Sequence, residues 1–360
     1  MSVHSKFYSL PVAGIRQETP DAVSILFEVP FEFRSHFTFT AGQHLTLRTI
    51  LDGEEIRRNY SVCVAPHDGE LRVAVKRVSG GRFSNWANSL LKIGDLVEVM
   101  PPAGHFTIAT DPSAARSYVG FAGGSGITPV ISLLKTILQT EPYSQFTLFY
   151  GNRNSDQVMF TEELAQLKDR YIARFRLFHF LEEEEEEFEL LNGRLDAAKC
   201  EELLSIVVDA PSVDQFFICG PEPMMNAAEA ALKAKGVTGD KILLERFGQP
   251  GLDPERARLA AARAVQASGR SLGVIFDGRR VNIRFDAERG NILDTVIAAG
   301  LPAPYACKGG VCATCRGKVL TGEVSMAQNF GLTEAEIAQG YVLTCQSIPQ
   351  SDDVLISYDD

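Results

Sequence analysis

The polarity pattern changes character twice along the chain. Over the first hundred residues, short runs alternate apolar and polar positions: "AVSILFEV" (22–29), "HLTLRTI" (44–50), "RRNYSVCVA" (57–65), "LRVAVKRV" (71–78) and "LVEVMPP" (96–102). A period of two marks strands with one face in a core, and short, evenly spaced strands of this kind predict a small antiparallel β-barrel. From residue 117 the unit becomes an apolar run, a turn, then apolar residues at helical spacing. "SYVGFAGGSGITPVISLLKTILQT" (117–140) is the first such unit. "FTLFYGNR" (146–153) is a second buried strand, and "DQFFICGPEPMMNAAEAALKAKGV" (214–237) is a third strand with its helix. Strands alternating with helices predict an α/β doubly wound parallel sheet. The last stretch returns to β-structure. "LGVIFDGRRVNIRFD" (272–286) reads as two strands joined by Asp277-Gly278, a hairpin dipeptide, "NILDTVIAAGL" (291–301) as a helix, and "DVLISYDD" (353–360) as a closing strand.

The expected organisation is therefore multidomain: a barrel over 1–112, a nucleotide-type sheet over 113–248, a linker over 249–270 and an α+β module over 271–360. The linker, "QPGLDPERARLAAARAVQASGR", is rich in Ala and Arg and reads as a partly helical tether. The run Glu182–Glu187 reads as a solvated loop inside the second domain.

Charge and cysteine count narrow the chemistry. A net charge of −11 argues against a nucleic-acid backbone as partner, which needs a basic face. No apolar run approaches the roughly 18 residues of a membrane span, and "MSVHSKFYSL" lacks the basic and apolar regions of a signal peptide. The expectation is a cytoplasmic protein whose thiols stay reduced. Seven cysteines then point to metal or catalytic roles rather than a disulfide framework.

Four of those cysteines carry a signal. Cys307, Cys312, Cys315 and Cys345 follow C-x4-C-x2-C-x29-C, the plant-type [2Fe–2S] spacing. Structural zinc takes two C-x2-C-like pairs, and here the second half offers one cysteine with no histidine beside it. Zinc and a cofactor-free cluster of buried thiols are the alternatives. Gly309 and Gly310 between the first two ligands let a loop bring N–H groups close to sulfur. Cys63 and Cys200 read as small buried hydrophobes.

In the middle section Gly123, Gly124 and Gly126 lie between a strand and a helix, with Pro129 in the first helical turn, where its missing N–H costs nothing. Such a turn places N–H groups and the helix dipole at a pyrophosphate. It is neither a P-loop nor the usual G-x-G-x-x-G fingerprint. Gly151–Arg153 and Cys219–Pro221 fall at the ends of neighbouring strands, where ligands bind in such sheets.

Taken in order, Arg58-x-Tyr60-Ser61, Gly81-x-x-Ser84, the Gly-Gly-Ser-Gly-Ile-Thr-Pro of 123–129 and Cys219-Gly220-Pro221 resemble the ferredoxin–NADP⁺ reductase family over residues 8–248. Residues 271–360 resemble a plant-type ferredoxin, a β-grasp fold. The whole chain is similar to the reductase components of multicomponent oxygenases. The resemblance implies FAD, a [2Fe–2S] cluster and NADPH, or NADH, as cofactors. It places Arg58 at the flavin phosphates, Tyr60 on the isoalloxazine and the Ser61 hydroxyl near flavin N5. It gives Val75, Lys76 and Val78 contacts to FAD, and gives Gly81, Arg82 and Ser84 the pyrophosphate. Thr128 and Cys219 would flank the nicotinamide, with Gly220 and Pro221 in the same turn. Glu245 and Phe247 would reach back to the flavin, although Phe247 suits core packing equally. Arg153, with no acidic residue in its turn, favours NADPH over NADH.

The implied acceptor is the oxygenase component, a di-iron hydroxylase, with another aromatic or alkane oxygenase served by NADH as the alternative. A flavin–cluster subunit of the dihydroorotate-oxidising type would lack the separate ferredoxin module.

Overall fold

The computed structural model describes residues 6–185, 187–247 and 254–359. They form two compact units, one of Ser9–Ile56 with Tyr60–Phe247, the other built mainly on the residues after 247.

The first unit opens with six strands: β1 (Tyr8–Thr19), β2 (Ala22–Phe27), β3 (His44–Leu51), β4 (Glu54–Ser61), β5 (Leu71–Lys76) and β6 (Leu96–Val99). Their order is β4-β3-β6-β1-β2-β5. An antiparallel bridge from Val62 to Val73 ties the two outer strands, so the sheet curls toward a closed barrel. Closure removes the open edges that would otherwise invite pairing with other chains. Strand β1 is the one the polarity pattern did not announce. Pro11 masks it, yet Pro11 precedes Val12, the first residue paired with β2, so its missing N–H breaks no bond in that ladder. Helix α1 (Arg82–Ser89) follows β5.

The same unit continues into five parallel strands, β7 (Ser117–Gly123), β8 (Gln145–Asn152), β9 (Phe175–Leu181), β10 (Gln215–Cys219) and β11 (Ile242–Glu245). Their order is β11-β10-β7-β8-β9. Helices α2 (Ile127–Thr140), α3 (Thr161–Arg170), α4 (Ala197–Ile206) and α5 (Glu222–Ala234) connect them. Strand β7 runs between β8 and β10, so the chain reverses its winding there. Strands β9 and β11 were not expected; β11 is four residues long, too short for a period to register.

Phe146, Phe217 and Tyr118 stack in the core on the α2 side, and Ala74 of β5, with Cys63 and Phe106 outside the strands, enters that same core. Ser132 on α2 donates to the Val64 carbonyl at 2.6 Å, binding barrel to helix.

The second unit contains α6 (Pro254–Gln266), β12 (Ser271–Phe276), β13 (Arg279–Arg284), α7 (Ile292–Ala298), β14 (Arg316–Thr321), β15 (Val324–Met326), α8 (Glu334–Ala338), β16 (Tyr341–Leu343), β17 (Ser347–Pro349) and β18 (Val354–Ser357). The main sheet runs β13-β12-β18-β14-β16, with β15 and β17 as a separate pair. Asp277 (φ 49°) and Gly278 (φ 71°) make the expected left-handed hairpin turn. Its two N–H groups bond the Asp359 carboxylate at 2.7 and 2.8 Å.

The expected linker is only partly a tether. Residues 249–253 lie outside the described residues, but α6 is docked, with Ala264 and Ala267 buried in the core of this unit beside Leu272 and Phe285. Small alanines on one helical face let the helix lie close against the sheet.

Candidate functional site

Tyr60 and Ser61 end strand β4. Tyr60 is half-buried with its ring 5.4 Å from that of Phe83. Ser61 is buried, and its hydroxyl has no hydrogen-bond partner. A buried hydroxyl left unpaired costs about 1–3 kcal/mol, so this group fits a polar ligand atom such as a flavin nitrogen. Arg58, two residues earlier, is exposed and donates to the Arg57 carbonyl at 2.7 Å.

Val75 and Lys76 end β5. Val75 is buried, and the Lys76 ammonium lies 3.1 Å from Gln157 Oε1 and 3.8 Å from Asp21. Val78 has an exposed side chain, and its N–H donates to Ser84 Oγ at 3.1 Å. Gly81 starts α1. A Cβ there would lie 2.6 Å from Ser84 Oγ, so only glycine lets the hydroxyl fold back over the helix start. Turn and helix N-terminus together present N–H groups of the kind a pyrophosphate needs. Arg82, the residue after Gly81, pairs its guanidinium with Glu54 and donates to the Leu51 carbonyl at 2.6 Å, which fastens the β3–β4 turn.

The nucleotide turns lie side by side at the winding reversal. Gly123–Gly126 follows β7, and Cys219–Pro221 follows β10. A Cβ on Gly126 would lie 2.1 Å from the Cys219 carbonyl oxygen, and one on Gly220 would lie 2.9 Å from Gly123 N. These glycines let two backbones touch. Gly124 (φ 50°) meets nothing within 4 Å and is the open face of the turn. Thr128 is buried and donates to the Ser125 carbonyl at 3.0 Å, while Pro129 lies in the first turn of α2. The cradle is one a dinucleotide fits: bare backbone at a helix N-terminus with its close approach protected by glycine.

Cys219 is fully buried, and burial, with the Glu245 carboxylate nearby, pushes its thiol well up, so the sulfur is a neutral thiol. Glu245 pairs with Cys219 across β10 and β11. Phe247 is 41% exposed. Arg153 is exposed at the exit of β8.

In the second unit Lys308 (φ 53°), Gly310 (φ 74°) and Ala313 (φ 54°) curl the loop that carries the cysteines. Among the described residues no three His, Cys, Asp or Glu side chains gather at one point as a mononuclear metal site requires. The sulfurs sort instead into pairs: Cys307 lies beside Cys312 and Cys315 beside Cys345, each the neighbour that most strongly perturbs the other's thiol. Four thiols arranged two by two are the donor set a two-iron centre takes.

In each pair one sulfur is pulled down. Cys307 falls to about 6 through its neighbour Cys312 and the N–H groups of Gly309, Val311 and Cys312. Cys345 falls through Cys315, then Gln346 and the Gly310 N–H. The distant fourth cysteine is delivered by pairing of β14 with β16, Arg316 opposite Leu343. Thr344 then donates twice to the Cys315 carbonyl, from N at 3.1 Å and Oγ1 at 2.8 Å.

Two things escaped the sequence. His44, on β3, is buried with both ring nitrogens unpartnered and its Nδ1 3.9 Å from a Glu245 oxygen. Its only signal was a histidine at an inward position of "HLTLRTI". The acidic run is not merely solvated: Glu183 and Glu184 hydrogen-bond Asn154 and Ser155 at the β8 exit. The turn read as free of acidic groups therefore has two beside it.

Comparison with known proteins agrees with this layout. Residues 10–108 match an oxidoreductase FAD-binding domain, 121–230 an oxidoreductase NAD-binding domain and 274–350 a 2Fe-2S iron-sulfur cluster binding domain. The chain is 45% identical to a subunit of 1,2-phenylacetyl-CoA epoxidase from Escherichia coli K12, over 98% of both chains. It is 34% identical to the ferredoxin reductase component of 3-ketosteroid-9-alpha-monooxygenase from Rhodococcus rhodochrous, over 98% of this chain and 97% of the other. Phthalate dioxygenase reductase shares the fold, with a TM-score of 0.59 over 98% of both chains at 22% identity. No helix among the described residues is long and apolar enough to cross a membrane.

Proposed function

Because the chain belongs to the family of FAD- and [2Fe–2S]-dependent reductase components of multicomponent oxygenases, we propose that it draws electrons from a reduced pyridine nucleotide and delivers them to the di-iron oxygenase component of a phenylacetyl-CoA epoxidase. The end-to-end identity with a component of that enzyme supports this choice of acceptor. The observation that carries the redox reading is the two-by-two arrangement of Cys307, Cys312, Cys315 and Cys345 on the same chain as a nucleotide sheet. A cytoplasmic site of action keeps those thiols reduced.

Bound FAD takes a hydride and gives up electrons singly, and the [2Fe–2S] centre carries one at a time. The chain's residues supply the setting. Tyr60 would stack on the bound flavin ring, and Phe247, exposed, would be available to it as well. Ser61 offers its unpaired hydroxyl to the ring edge. Arg58 and the turn Gly81–Ser84 hold the phosphates, with Val75, Lys76 and Val78 alongside. Gly123–Pro129, Arg153 and Cys219–Pro221 cradle the coenzyme. Thr128 and Cys219, the latter as a neutral thiol, flank the nicotinamide, and Glu245 belongs to the segment that reaches back to the flavin.

The test is anaerobic reduction of the iron- and FAD-loaded protein by NADH or NADPH, followed by spectroscopy, then turnover with candidate oxygenases. The expected result is bleaching of both flavin and iron–sulfur bands and coupling to a phenylacetyl-CoA-oxidising di-iron component. Coupling only to a ring hydroxylase would reassign the partner. Colourless, zinc-bearing protein would overturn the reading.

A further inference from the structure

Resting on the iron–sulfur reading above, we propose that Gln328 and Gln346 are positioning residues: they turn peptides of the cysteine loop so that N–H groups face sulfur, and thereby raise the reduction potential of the [2Fe–2S] centre. Neither residue lies on that loop. Gln328 follows β15 and Gln346 precedes β17, the two strands that pair apart from the main sheet. Met326 stands opposite Ser347 in that pair, and the Ala327 N–H donates to the Gln346 carbonyl at 2.8 Å. The pairing sets the two glutamines beside each other. A Cβ on Gly310 would meet both, Gln346 Cγ at 3.0 Å and Gln328 Cγ at 3.4 Å, so the glycine leaves them room against the loop.

Three successive carbonyls of the loop are held from outside it. The Gln346 side-chain N–H donates to the Lys308 carbonyl at 3.0 Å, and that of Gln328 to the Gly309 carbonyl at 3.1 Å. The Phe330 backbone N–H donates to the Gly310 carbonyl at 2.9 Å. A trans peptide is planar, so its C=O and N–H point opposite ways. Drawing each carbonyl outward therefore turns the next residue's N–H inward, and those three N–H groups are the ones that meet sulfur. Gly309 N lies 3.3 Å from Cys307 Sγ. The Gly310 N–H is among the groups that draw the Cys345 thiol down, and the Val311 N–H does the same to Cys307.

Gln346 also acts directly. Its side chain is buried, and its Nε2 lies 3.6 Å from Cys345 Sγ. A side-chain amide has two N–H donors, so one serves the Lys308 carbonyl and the other the sulfur. Reduction of the centre by one electron adds negative charge to the sulfurs. Donors aimed at sulfur favour that state and make the centre a better acceptor for an electron from the flavin.

The experiment is a redox titration of the full FAD- and iron-loaded protein, following the EPR signal of the reduced centre in wild type, Gln346→Met and Gln328→Met. Methionine keeps the side-chain length and lacks the donor. Gln346→Met should make reduction about tenfold less favourable, a shift of about 59 mV downward for a one-electron couple. Gln328→Met, which acts only through a peptide, should do so about threefold. Electron–nuclear double resonance reads the bonds themselves: exchangeable protons coupled to the iron should be fewer in Gln346→Met and more weakly coupled in Gln328→Met. Iron content should match wild type in both. Unmoved potentials in iron-replete variants overturn the proposal. Loss of iron from both variants also overturns it, because the glutamines would then only support the loop. A dithionite-reduced wild type without an iron–sulfur signal sinks the cluster reading itself, while a wild-type signal with unmoved variants sinks only the role of the two glutamines.

Discussion

His44 is a buried base held uncharged, and this makes the stability of the first unit depend on pH in a calculable way. Burial first, and the neighbouring His105 second, push its pKa down from 6.5 to about 4. Glu245, 3.9 Å away, favours the cation but does not offset the lost hydration. The folded value lies below the unfolded one, so the unfolded chain takes up the proton first as pH falls. The contribution is therefore fully present above pH 6.5 and is lost as pH falls toward 4. Integrating proton uptake between those values gives about 2 kcal/mol lost by pH 5 and about 3 kcal/mol below pH 4. His44→Gln removes this dependence, because glutamine stays neutral throughout. The assay is urea unfolding followed by fluorescence of Trp86, the one tryptophan, which lies in α1. Between pH 7.5 and 5 the wild type should lose about 2 kcal/mol more than the variant. Parallel pH curves for the two proteins would refute the argument that His44 is buried and neutral.

Other substitutions test other parts. Cys312→Ser should abolish iron–sulfur absorbance while flavin reduction by the coenzyme persists, read by anaerobic spectroscopy; loss of both would contradict separate cofactor sites. Gly126→Ala places a Cβ 2.1 Å from the Cys219 carbonyl oxygen and 2.7 Å from Gly220 N. Backbone on both sides cannot give way, so destabilisation of about 3 kcal/mol and loss of coenzyme binding are expected, measured by urea unfolding and calorimetry; unchanged binding would refute the close approach. Ser61→Ala removes a buried hydroxyl that bonds nothing in the protein. It should leave stability of the flavin-free protein unchanged or slightly higher, yet slow flavin reduction at least tenfold in stopped flow.

Local pattern is enough for elements whose own residues carry the signal. The Asp277-Gly278 turn demands left-handed dihedrals, and the residues there supply them. The alternation in 44–50 and 71–78 and the apolar runs at 117–123 and 215–219 place their strands, because burial of one face or both is written in the period. The cysteine spacing likewise named its cofactor before any sulfur was located, since three of the four donors lie on one loop. Strand β11 was silent because four residues hold no period, and β1 because Pro11 speaks against a strand until its pairing partner is known.

What the tertiary structure alone decided lies between segments remote in sequence. Cys345 meets Cys315 only through the pairing of β14 with β16. His44 becomes a buried neutral ring beside Glu245 only when β3 and β11 come together. Glu183 and Glu184 reach the turn after β8 because the β9 chain keeps pairing past the sheet, a contact between residues about thirty positions apart. Electrostatics and hydrogen bonding depend on distance in space, and the linear chain encodes that distance only within a few residues. The composition fixed which charges exist, and the fold fixed which of them stand beside one another.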